Sequence, residues 1–155
     1  MIKSKKLSKF SEIEHSFFNR LGGKSNGIYK GLNCGPGSSD DKKNISKNII
    51  LVQKKIKSGL NKIVLLNQIH SNKFFYIDKT SKLNHKKFTG DALVTNKSNT
   101  PIAVLTADCA PILIFDNNKK TIAAIHAGWK GAYNEIIKKV IKFMIKKGSS
   151  AKDII

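Results

Sequence analysis

Six short apolar segments, at 63–66, 74–77, 92–95, 102–105, 112–115 and 121–125, follow one another through the middle of the chain, each bounded by polar or turn-forming residues. Runs of this length, several of them β-branched, read as strands. Asp116-Asn117-Asn118 lies between the last two, and its turn chemistry predicts a hairpin. Before this block, Ile45, Ile49, Val52 and Ile56 recur at helical spacing with Lys and Asn between them, which predicts an amphipathic helix from about Asp40 to near Gly59. After it, Ile136, Ile137, Val140, Ile141 and Met144 define one side of a second helix over 133–147, with Gly148 placed as its cap. Upstream, 15–19 reads as a short strand running into the loop Arg20-Leu21-Gly22-Gly23, and 24–41 continues as a Gly, Asn and Ser-rich loop. No internal repeat or linker breaks the pattern. The expectation is one α/β (α+β) domain over 1–155, with helices bracketing a sheet-rich middle. Ile154-Ile155 opens another apolar segment where the sequence ends, and a domain seldom finishes by entering its core, so a further C-terminal portion is expected.

With 40% apolar and 25% charged residues, the chain has enough material for a real core. Its formal net charge of +19 invites a nucleic-acid reading, because clustered cations displace counterions from phosphate backbones. All but one of the 29 basic residues are lysine, however, and they are spread along the whole sequence. A protein that reads bases would carry several arginines for bidentate guanine contacts, so the charge is taken as solvated surface, with no specific nucleic-acid partner. The basic start is followed by neither the apolar run of about 7–15 residues that a signal peptide needs nor the roughly 20 that span a membrane. Cys34 and Cys109 are too few for a disulfide framework. The expected compartment is the cytoplasm, with both thiols reduced, and no membrane partner. Nothing in the sequence specifies an oligomeric state.

Catalytic groups usually project from strand ends and loops, because the sheet interior is packed. Three residues share that position: His70 closes Leu65-Leu66-Asn67-Gln68-Ile69-His70, Cys109 follows Leu105-Thr106-Ala107-Asp108, and His126 ends Ala123-Ala124-Ile125-His126. Two imidazoles and a thiolate suit zinc, and three protein ligands leave the fourth tetrahedral position open, as catalytic sites do. The wide separations are unlike a local zinc finger. A buried inert cysteine with two hydrogen-bonded histidines fits the bare pattern as well.

The strings HSFFNRLGG, GIYKGLNCG, LLNQIHS, GDALVTN, PIAVLTADCAPILIFD and AAIHAGWKGAYNEI, in this order, resemble the laccase-domain or multicopper polyphenol oxidase family, now regarded as purine nucleoside phosphorylases. The resemblance runs from about His15 to the last residue, and TADC with HAGWKG is its most specific part. It implies zinc ligation by His70, Cys109 and His126, with copper(II) as the competing ion. It further implies a layered α/β sandwich with mixed β-sheets, and phosphorolysis of adenosine, inosine, guanosine or methylthioadenosine together with adenosine deamination. The partners it implies are a purine nucleoside and phosphate. One zinc would serve both chemistries, activating water for attack at purine C6 or helping to orient substrate and phosphate at the ribose C1′.

Arg20, the one guanidinium, sits in a glycine loop and is a candidate phosphate or sugar ligand, against the alternative of a surface ion pair. Asp91 and Asp108 are candidate acid/base groups or carboxylates that hold a ligating histidine, against simple turn capping. Lys130 is a candidate anion contact, and Trp129 either packs against a base or lines the core. Cys34 is read as a non-ligand, and neither His15 nor His85 earns a role. Phenol oxidation in the multicopper manner needs many histidines, and this chain has four. Hydrolysis of wrongly amidated cell-wall precursors is an alternative that the resemblance also carries. Relatives continue well past the final residue of this sequence, so an inactive truncated remnant is a further alternative.

Overall fold

The structure, a computed structural model, describes residues 1–59, 61–81 and 88–155. The chain divides into two compact units, Met1–Ile63 and Val64–Ile155.

In Met1–Ile63 one helix, α1 (Lys42–Lys55), organises otherwise irregular chain. The Asp41 carboxylate caps it by accepting the Lys43 amide at 2.8 Å. The helix stops short of the expected Gly59 because Lys57 turns into the left-handed region, at φ 52°. Ile45 and Asn48 face inward, and Asn48 is wholly buried. A buried carboxamide must find partners for both its donor and its acceptor. Asn48 finds them in the upstream loop: its Oδ1 accepts the Lys24 amide at 2.7 Å, while its Nδ2 donates to Ser25 Oγ at 2.9 Å and to the Asn33 carbonyl at 2.8 Å. A helix side chain therefore fixes the loop. The strand expected at 15–19 is reduced to a single antiparallel bridge between Ile2 and Phe17. On either side of it, side chains take the amides that a ladder would use: His15 Nε2 accepts from Ser4 at 2.9 Å and Asn19 Oδ1 from Leu21 at 3.2 Å.

The unit Val64–Ile155 carries the strands β1 (Leu66–Asn67), β2 (Phe74–Ile77), β3 (Phe88–Thr89), β4 (Ala92–Thr95), β5 (Ala110–Asp116) and β6 (Thr121–Ala127), then the helices α2 (Trp129–Tyr133) and α3 (Ile136–Lys146). β1 and β3 form a parallel pair. The main sheet has the order β2-β4-β6-β5, parallel between β2 and β4 and antiparallel elsewhere. This is the mixed α/β architecture that the sequence implies. β2 and β4 match the expected segments. Asp116-Asn117-Asn118 opens the turn of a β5–β6 hairpin, where Asp116 Oδ1 accepts the Asn118 and Lys119 amides at 2.8 and 3.0 Å. The central strands β4 and β6 are almost entirely buried, and Ile136, Val140 and Met144 of α3 pack against Ala92, Val94 and Ile125. A functional group placed at the ends of these two strands stands on the most rigid part of the unit.

Three expectations are corrected here. The first strand is displaced, with Val64 making only an isolated bridge and β1 starting at Leu66. Segment 102–105 is no strand beyond its one bridge from Ile102 to Val64; the amide and carbonyl of Leu105 are instead bonded to the side chain of Gln68. The helix expected over 133–147 starts later, as α3 over Ile136–Lys146, and a separate short helix, α2, precedes it over Trp129–Tyr133. Asn134 Nδ2 donates back to the Lys130 carbonyl at 2.8 Å, competing with the helical ladder, and Glu135 adopts φ 57° before α3 begins. Its far end is as expected: Gly148 takes φ 96°, its amide donates to Ile145 and that of Ser149 to Met144, the two bonds of a Schellman cap. Ile154 bridges to Asp116, and Ile155 exchanges both backbone bonds with Phe115 on the outer edge of β5.

Replacing Asn48 with Ala leaves the Lys24 amide and the Asn33 carbonyl without their partner. Two newly orphaned groups of this kind set an expected loss of about 2–3 kcal/mol in unfolding free energy, measurable by urea denaturation. An unchanged midpoint would show that the loop does not depend on this residue.

Candidate metal centre

β1 ends at Asn67, and three residues later His70 sits at φ 57°, a left-handed conformation unfavourable for a residue with a Cβ. The carboxylate of Asp91, fully buried just before β4, holds it there. Asp91 Oδ1 accepts the His70 amide at 3.0 Å, and Oδ2 accepts the Ser71 amide at 2.6 Å and the Ser71 hydroxyl at 2.7 Å. The same Oδ1 meets His126 Nδ1 at 2.8 Å. An ionised carboxylate only accepts, so Nδ1 of His126 carries the proton of this bond and Nε2 is the ring nitrogen left for a metal. Burial works to raise the Asp91 pKa, but the bonds from the Ser71 hydroxyl, the His126 ring and the Ser71 and His70 amides outweigh it and hold the carboxyl below its ordinary value.

His126 lies in β6 opposite Pro111, 3% exposed. Cys109 immediately precedes β5, half-buried, with Sγ 3.7 Å from His70 Nε2. The two imidazole rings meet edge to face with centroids 4.8 Å apart. One ligand atom from each of His70, Cys109 and His126 lies within 4.8 Å of the others, and among the described residues these form the one such His/Cys/Asp/Glu group. Zinc bonds of about 2.0–2.1 Å to nitrogen and about 2.3 Å to sulfur at tetrahedral angles set ligand separations of roughly 3.3–3.6 Å. Cys109 and His70, at 3.7 Å, are close to that range, while the cluster as a whole spans up to 4.8 Å and has to draw together by up to about 1 Å to close on the ion. The donor set therefore fits the ion.

Gly128 backs the cluster. A Cβ at this position would stand 2.6 Å from His70 Cδ2 and 3.2 Å from Cys109 Sγ, so only glycine lets the chain pass from β6 into α2 this close to the ligands.

Of the other candidate residues, Asp108 is exposed beside Cys109. Trp129 is 73% exposed, so it lines no core, and the Lys130 ammonium stands 5.3 Å from its ring centroid. Arg20 belongs to the unit Met1–Ile63, where its Nη2 donates to the Lys30 carbonyl at 3.0 Å. Cys34 is in the same unit, and burial pushes its thiol up to about 11. His15 is buried there, and His85 lies outside the described residues. Sequence reasoning passed over Ser71 and Gln68, although both stand within two residues of His70; the signal was their ability to bond to a neighbouring segment.

The family described as multi-copper polyphenol oxidoreductase laccase matches residues 14–155. A purine nucleoside phosphorylase of Bacteroides thetaiotaomicron is 32% identical over 100% of this chain and 60% of its own length. One from Corynebacterium glutamicum is 36% identical over 88% of this chain and 56% of its own. The chain thus spans a little over half the length of these curated relatives. A solved Neisseria meningitidis protein of the DUF152 family superposes with a TM-score of 0.74 at 30% identity, covering 87% of this chain and 52% of that one. Bacillus licheniformis YfiH gives 0.80 at 25% identity, covering 87% and 53%. No helix among the described residues is long and apolar enough to cross a membrane. With residues 14–155 matched and the TADC and HAGWKG strings supplying two of the clustered ligands, the chain belongs to the multi-copper polyphenol oxidoreductase laccase family.

Proposed function

We propose that the chain is a zinc-dependent enzyme of purine nucleosides, cleaving adenosine, inosine, guanosine or methylthioadenosine with phosphate and deaminating adenosine, in the cytoplasm. The observation that carries this reading is the convergence of two imidazoles and a thiol on one point, with the His126 tautomer set by a buried carboxylate. The relatives' names supply the substrate class.

Zinc, when bound, supplies Lewis acidity and activates a water or substrate oxygen near neutral pH. The remaining work falls to the chain. His70, Cys109 and His126 would hold the ion at a place open to solvent, since His70 is exposed and Cys109 only half-buried. In phosphorolysis a phosphate oxygen bonds to C1′ as the glycosidic bond breaks and the purine leaves with a proton. In deamination water adds at C6 and ammonia leaves. Both need a group that moves a proton, and Asp108, exposed beside Cys109, is the carboxylate available for it. Asp91 has its lone pairs occupied by the loop and by His126, which suits orientation of the ligands rather than proton exchange with substrate. Arg20 is assigned to phosphate on its chemistry alone, a fixed planar charge that takes an oxyanion bidentately.

Incubating the purified protein with adenosine, with and without phosphate, tests the reading. Adenine and ribose 1-phosphate are expected only with phosphate, and inosine in either case. No turnover of any of the four nucleosides by a zinc-loaded, folded protein would refute it. Metal analysis of the same preparation decides between zinc and copper.

Thiol labelling gives an independent check on the ligand set. Cys34, with its raised pKa, is expected to react slowly with iodoacetamide throughout, while Cys109 becomes reactive only after a chelator removes the metal. Equal labelling of Cys109 before and after chelation would remove it from the ligand set. Asp91→Asn keeps the shape but loses the charge, and a weakening of zinc affinity by about 10–100-fold is expected in a chelator competition.

A further inference from the structure

The segment that delivers Cys109 has little to hold it. Its backbone pairing with the segment leading to His70 ends early: the Val64 amide donates to Pro101 at 2.8 Å, and the Ala103 amide donates to Val64 at 3.1 Å. Past that point the two segments part, because Leu66 and Asn67 pair with β3 instead. Thr106, Ala107 and Asp108 are all exposed, so packing does not fix them. Only from Ala110 does β5 begin.

Between these points lies one device. Gln68 Nε2 donates to the Leu105 carbonyl at 2.7 Å, and the Leu105 amide donates to Gln68 Oε1 at 2.7 Å. A primary carboxamide offers a donor and an acceptor side by side, as a peptide group does, so Gln68 completes with its side chain the rung that a strand would have made. The Leu105 amide can only donate, which fixes the orientation of the carboxamide. Gln68 stands two residues before His70, and Leu105 four before Cys109. The clamp therefore joins the two ligand-bearing segments where the backbone ladder has run out.

We propose that Gln68 is a positioning residue of the metal centre: its two bonds to Leu105 fasten the Cys109 segment to the His70 segment and hold the thiolate at coordination distance from the imidazole. This rests on the reading of His70, Cys109 and His126 as a metal site. The other two ligands have separate supports, His70 in the Asp91 carboxylate and His126 in the sheet, so loss of the clamp releases the sulfur selectively. A ligand on a freed loop must be ordered again when the ion binds, and affinity falls accordingly.

Cobalt(II) is the probe, because thiolate ligation gives it a charge-transfer absorption and tetrahedral geometry gives it intense visible bands. Zinc affinity is measured alongside by competition with a chelator. Gln68→Ala is expected to bind zinc about tenfold or more weakly and to lose intensity in the cobalt–thiolate band, and Gln68→Glu, which keeps the acceptor for the Leu105 amide, to fall between it and wild type. A Gln68→Ala protein with lowered thermal stability but unchanged affinity and spectrum overturns the proposal, leaving the clamp a purely structural contact. If the Ala variant does not fold, Gln68→Glu decides: weakened binding with a fainter thiolate band supports the role, and wild-type behaviour overturns it. A wild-type chain that binds neither ion refutes the metal reading itself and this proposal with it, an outcome distinct from a wild type that binds while the variants bind equally well.

Discussion

The buried carboxylate of Asp91 connects the two histidines of the cluster in the unit Val64–Ile155. Removed from water, an unpartnered carboxylate costs several kcal/mol, and that cost has to be met by donors from its surroundings. The donors come from two places: the amides and hydroxyl of the loop after β1, and the ring of His126 in β6. Because charge-assisted bonds are individually worth about 1.5–3 kcal/mol, the ionised state survives burial, and its donors are committed to one arrangement. The backbone reinforces this, with the Asp91 amide donating to Lys73 and its carbonyl accepting from His126. A single side chain thus sets the left-handed turn at His70 and the tautomer of His126 together.

A gradient of exposure runs across the ligand cluster, from buried His126 through half-buried Cys109 to exposed His70. Its origin is the sheet. β6 is central, covered by α3 on one face, and flanked by β4 and β5, so the residue at its end is shut in. Cys109 enters at the start of the edge strand, and His70 arrives on a loop outside the ladder altogether. Accessibility therefore rises from His126 to His70, while the Asp91 carboxylate holds the His70 backbone in place. A cation bound by these three would face solvent on the His70 side, and such openness is what distinguishes catalytic zinc sites from closed structural ones.

Much of this was legible in the sequence. Strands β2 and β4, the hairpin turn and the Gly148 cap follow from local chemistry: β-branched runs, an Asp-Asn-Asn turn and a glycine after a helical face. The meeting of His70, Cys109 and His126 was legible because each ends or adjoins an apolar segment, and strand ends are where side chains leave the core. The contrast in surroundings between Asp91 and Asp108 was not. Both are carboxylates near strand ends, and only the fold places one at zero exposure among donors and the other in solvent. Segment 102–105 misled because apolar, β-branched composition is needed for a strand but does not supply a partner, and its partner at Leu105 turned out to be a glutamine side chain. The late start of α3 was hidden because Tyr133 stands at helical spacing from Ile136 and Ile137, and Asn134 ends α2 with a side-chain bond that spacing does not register.

The Gln68 and Asn48 networks apply one solution to the same problem in the two units. Irregular segments carry amides and carbonyls that no ladder satisfies, and a carboxamide, alone among uncharged side chains in matching the peptide group, can satisfy a donor and an acceptor together. Asn48 does so fully buried, against a loop rich in glycine. Gln68 does so on a partly covered flank, where its bonds compete with water and hold more loosely. That difference matters for the cluster, because a thiol held through a partly covered clamp has room to shift, and the ligand atoms have to draw together by up to about 1 Å to reach tetrahedral separations. The two histidines, held by the carboxylate and by the sheet, would set the position of an ion bound there, and the sulfur would adapt to it.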